Sequence, residues 1–98
     1  VNARELADGD ALSVPVTAAH IASGIRADAA RCPVALALKD ATGAQDVRAD
    51  IITPRLEFPG FTLWLYTRDA RRFMIAFDKG SPVTPASFTF IVTGRSSR

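Results

Sequence analysis

The chain has 98 residues, 48% of them apolar, enough for one hydrophobic core and too few for two. Its formal charge is only +2, and Arg4, Arg95 and Arg98 near the ends supply more than all of it, so a surface dominated by phosphate contacts is not expected. One cysteine excludes a disulfide scaffold and a cysteine-rich zinc site, and one histidine with scattered carboxylates shows no metal-ligand spacing. No cofactor is implied.

The start, "VNARELADGD", is polar and lacks the apolar stretch of a secretory leader, and no window is long enough to span a membrane. A bacterial cytoplasm is the expected location, without membrane contact. Residues 1–11 are expected to form a tail or tag remnant, residues 12–94 one α+β domain, and residues 95–98 a second tail.

In chain order, "LSVPVTA" alternates Leu12, Val14 and Val16 with Ser13 and Pro15, the period of a half-buried strand. Pro15 has no N–H to donate, which places the strand at an edge or turns the proline outward. A short helix follows, capped by Thr17 and ended by Gly24. The next helix, "PVALALKDATG", has Cys32 or Arg31 at its N-cap, Pro33 in its first turn and Gly43 just past its end. Its turns are apolar nearly all round, which predicts the most buried helix of the domain.

"QDVRADIIT" alternates Val47, Ala49 and Ile51 against Arg48, Asp50 and Ile52, predicting a strand. "TPRLEFPG" is punctuated by proline and is expected to connect it to the strand "FTLWLYT". Thr67 then caps a third helix, in which Ala70, Phe73, Met74 and Phe77 form an apolar stripe at i, i+3, i+4 and i+7. "SFTFIVT" supplies the last strand, with Phe88, Phe90 and Val92 on one face. The expected architecture is a two-layer sandwich in β-α-α-β-β-α-β order. It is a ferredoxin-like variant with helices on one face of a four-stranded sheet.

Residues able to do chemistry are few. A thiol at a helix N-terminus can be acidified by the helix dipole, with His20 as a base, but the remainder of a cysteine-hydrolase signature is missing. Cys32 reads better as a small buried residue at a helix boundary. No glycine-rich phosphate loop, nucleophile elbow or metalloprotease pattern occurs, so no enzyme activity is expected.

Surface patterning carries more information. If Phe61, Leu63 and Leu65 face the core, then Trp64 and Tyr66 face the other side of the sheet, with Ile52 and Ile91 at the same parity on their strands. An apolar, aromatic sheet face of this kind marks an interface unless the N-terminal residues or the 53–60 loop cover it. Opposite the stripe of the third helix lie Arg68, Arg71 and Arg72 around Ile75. That surface suits an acidic partner or a phosphate backbone, or is simply a solvated helix face.

The segments "VPVTAAHIASGIR", "CPVALALKDATG" and "RRFMIAFDKGSPVTPASFTF" together resemble a family of small uncharacterised phage and prophage proteins. That family carries H-I-x-x-G, C-P-[IV]-A-x-A and F-D-x-G-x-x-V-x-P motifs. Met74 stands where the family usually has Ile or Val. The resemblance implies an accessory protein that binds a host or phage protein, including defence complexes, in the manner of an anti-CRISPR inhibitor. It carries over no catalytic residue. Trp64, Tyr66, Ile52, Arg68, Arg71, Arg72 and Ile75 are the expected partner-binding residues, and a homodimer is compatible with the same face. The alternative is a nucleic-acid-binding module that stacks bases on the open sheet.

Overall fold

A computed structural model of the chain describes residues 2–97. The fold is α+β. A 3-10 turn at Ala3–Glu5 precedes β1 (Ala11–Val16), α1 (Ala18–Ser23), α2 (Pro33–Thr42), β2 (Asp46–Arg48), β3 (Arg55–Phe58), β4 (Phe61–Thr67), α3 (Ala70–Asp78) and β5 (Ala86–Ser97).

The five strands form one antiparallel sheet in the order β1-β5-β4-β3-β2, which corrects the expected four-stranded, ferredoxin-like arrangement. The fifth strand is "RLEF", expected as connection. Leu56 and Phe58 are buried while Arg55 and Glu57 are half-exposed, so a two-residue alternation stands between Pro54 and Pro59. The pair Pro59–Gly60 closes a tight hairpin in which Gly60 takes φ +85°, a value that favours glycine, and Phe58 stacks on Phe61 with ring centres 4.7 Å apart.

β2 is also shorter than expected. The N–H of Ala49 donates to Ala29 O in the loop after α1, and Asp50 turns back to accept from the Ile52 N–H. Pairing therefore stops at Arg48, although Ala49 and Ile51 still pack on the core. β1 is an edge strand beside β5, and the α1–α2 connection crosses the sheet from one edge to the other. An edge is where a strand proline is tolerated, and Pro15 is exposed.

One face of the sheet is the core. Leu12, Val14, Val16, Val47, Leu56, Leu63, Leu65, Phe90 and Val92 are buried there with Val34 and Leu38 of α2 and Phe73 and Met74 of α3. Phe73 meets Phe88 edge to face at 5.2 Å. α2 is the most buried helix, as its all-round apolar sequence predicts.

β5 organises the rest. Its residues 86–91 pair with β1, and residues 90–97 pair with β4, so the two neighbours overlap along only a short stretch. On the β1 side the free part of β5 is met by the N-terminal segment: the Gly9 N–H donates to Val92 O, and the Val92 N–H donates to Asp10 O. Ala3 is buried, Leu6 packs on the core, and the Arg95 guanidinium donates to Arg4 O while lying 4.2 Å from the Phe61 ring centre. Residues 2–10 and 95–97, expected as tails, are parts of the fold.

Candidate functional site

On the β4 side, β5 is longer than its neighbour in the other direction. β4 ends at Thr67, opposite Phe90, and the backbone of Thr89 has no strand beside it there. Side chains complete the ladder. Asp69 Oδ2 accepts from the Thr89 N–H at 3.4 Å, and the Thr67 hydroxyl lies 3.1 Å from Thr89 O and 3.2 Å from Asp69 Oδ1. The same hydroxyl oxygen receives the Ala70 N–H at 3.3 Å, so Thr67 supports the start of α3 from two residues further back than an ordinary N-cap position next to the helix.

This corner opens a recess of about 560 Å³ lined by Tyr66, Arg68, Asp69, Arg72, Thr89 and Ile91. Tyr66 and Ile91 are direct cross-strand partners on the outer face and supply its apolar floor. Tyr66 is 45% exposed. Arg68 and Arg72 are exposed on the wall and make no hydrogen bond or ion pair among the described residues.

Trp64 lies one step along the same face and has a different environment. Its indole N–H donates to Ser96 Oγ at 3.3 Å, Arg55 lies 5.7 Å from the ring centre, and the ring covers Gly94. The register slips between Trp64 and Leu65, leaving Thr93 unpaired in the ladder, with its hydroxyl donating to Trp64 O. Trp64 is thus half-buried by its own sheet.

The expected partner-binding residues divide. Tyr66, Arg68 and Arg72 converge on the corner recess, with Trp64 beside it. Ile52 is not on the sheet face; it projects from the loop after β2, 76% exposed. It shares a second recess, of about 580 Å³, with Arg71, Cys32, Met74, Asp28, Asp50 and Asp78. Ile75 is 39% exposed on α3 and lines neither. Sequence reasoning missed Arg55 and the paired roles of Asp69 and Thr89. The alternation of "RLEF" signals Arg55, whereas the Asp69–Thr89 bond joins elements 20 positions apart and has no local signal.

The thiol in the second recess is made less acidic by its surroundings. Burial is the main influence on the Cys32 thiol and raises its pKa above the ordinary 9.0; the backbone N–H groups of Ala35 and Val34 oppose this, and Asp78 adds to it. His20 is not directed toward this recess. The Thr17 N–H donates to Nδ1 at 3.0 Å, which fixes the ring proton on Nε2, where it is donated to Asp40 Oδ2 at 2.7 Å. With the His20 N–H returning to Thr17 Oγ1, His20 completes the N-terminal cap of α1 and ties it to α2.

Among the described residues no group of His, Cys, Asp and Glu is arranged to hold a metal ion, and no helix is long and apolar enough to cross a membrane. No family model, curated protein or solved structure matches the chain. The likeness to phage and prophage proteins therefore rests on the three motifs alone.

Proposed function

We propose that this chain is a phage-type accessory protein that acts by binding a host or phage protein, and that the corner recess around Tyr66 is the contact. The observation that carries this reading is the juxtaposition of a half-exposed tyrosine, the apolar Ile91 and two unengaged arginines at one place. Aromatic and arginine side chains supply most interface energy, because each combines a large buried area with directed polar contacts. Inhibition of a bacterial defence system, such as a CRISPR complex, is the specific form suggested by the motifs.

The outer face is a poor track for a phosphate backbone, because Asp46 and Glu57 share it with Arg48 and Arg55. Pairing through sheet edges is also disfavoured: β1 carries Pro15, and β2 has three residues. Tagged wild type and Tyr66→Ala, purified in parallel from bacterial lysate and compared by quantitative mass spectrometry, test the reading. A specific partner should be lost with the variant, by about 2 kcal/mol or roughly thirtyfold in affinity. Identical protein recovery from both would remove the recess as the contact.

A further inference from the structure

The recess also indicates the chemistry of what enters it. Of its charged groups, only the Asp69 carboxylate is engaged: one oxygen faces the Thr67 hydroxyl and the other the Thr89 N–H. The Arg68 and Arg72 guanidinium groups have no internal partner among the described residues, and both border the floor made by Tyr66 and Ile91. The first turn of α3 adds the positive end of a helix dipole on the same side. Two guanidinium groups against one hydrogen-bonded carboxylate leave the recess net positive, with unused donors beside its apolar floor.

We infer that the recess receives a carboxylate side chain standing next to an apolar residue on an acidic protein surface. Arginine pairs bidentately with carboxylate, so the two guanidinium groups fix the acidic side chain while its apolar neighbour covers Tyr66 and Ile91. The inference deepens the protein-binding reading and rests on it. Free arginines of this kind set recognition and rate of encounter through charge complementarity.

The test uses the full chain, labelled with nitrogen-15, and two blocked peptides, acetyl-Gly-Glu-Leu-Glu-Leu-Glu-Gly-amide and its counterpart with Lys for Glu. The acidic peptide should move the resonances of Tyr66, Arg68, Arg72, Thr89 and Ile91, and Arg72→Glu should weaken its binding at least about fivefold. Both arginines are exposed and unbonded, so the variant spectrum should otherwise match wild type. Absence of a response at millimolar peptide, an equal response to the lysine peptide, or shifts centred elsewhere would overturn the inference. Stronger movement of the same resonances by a single-stranded oligothymidylate would overturn it in favour of nucleic acid. If Tyr66→Ala loses a cellular partner but the double variant Arg68→Glu, Arg72→Glu retains it at full affinity, the protein-binding reading stands and the acidic-partner inference falls.

Discussion

At the residue scale, Cys32 shows how burial overrides local electrostatics. A helix N-terminus stabilises a thiolate, and the N–H groups of Val34 and Ala35 do act in that direction, but loss of water around the side chain acts more strongly. At neutral pH, iodoacetamide should label Cys32 at least about tenfold more slowly in the folded chain than in the urea-unfolded chain. Equal rates would show that the thiol is open to solvent. Because the folded value lies above the unfolded one, the folded state holds the proton more tightly. The resulting stability is fully present below pH 9.0 and is lost as pH rises through the folded value. Between about pH 8 and about pH 10.5, the urea midpoint should therefore fall less for Cys32→Ala than for wild type, as both share every other titrating group.

At the element scale, the close approach of α1 and α2 depends on Gly24. A Cβ there would lie 2.5 Å from Cδ and 2.9 Å from the backbone nitrogen of Pro33, at the first position of α2. The backbone of Gly24 is extended, so the requirement is space and not dihedral freedom. Gly24→Ala should destabilise the fold by about 1–3 kcal/mol, read as a lower urea midpoint; an unchanged midpoint would mean that the helices shift apart at no cost. Individual helices were legible because their signals are local. Thr17, Cys32, Pro33 and Gly43 act within one or two turns of where they stand. The strand at Arg55–Phe58 was obscured by its flanking prolines, and the strand at Asp46–Arg48 was extended too far because Ala49 and Ile51 keep strand-like burial inside a loop.

Across the whole molecule, the N-terminal segment completes the sheet. Its hydrogen bonds to Val92 and the Arg95–Arg4 contact meet the part of β5 that β1 leaves unpaired, while Ala3 is buried in the core and Leu6 packs against it. Deleting residues 1–10 should cost about 2–4 kcal/mol in urea unfolding, the scale of one buried aliphatic side chain with its hydrogen bonds. A deletion with the wild-type midpoint would return this segment to the status of a tail.

By itself the sequence determined the α+β class, the three helices, the caps of α1 and α2, the inward faces of the main strands and the outward parity of Trp64 and Tyr66. Each of these follows from periodicity or from contacts within a few residues. Strand order, the fifth strand and the corner recess were decided only by tertiary structure. They arise from the stagger of β1 and β4 along β5 and from the Asp69–Thr89 bond, which join residues far apart in the chain. Ile52 illustrates the difference: alternation with Ala49 and Ile51 predicts a place on the outer sheet face, but β2 ends at Arg48, where Ala49 bonds to Ala29, and Ile52 projects from the loop.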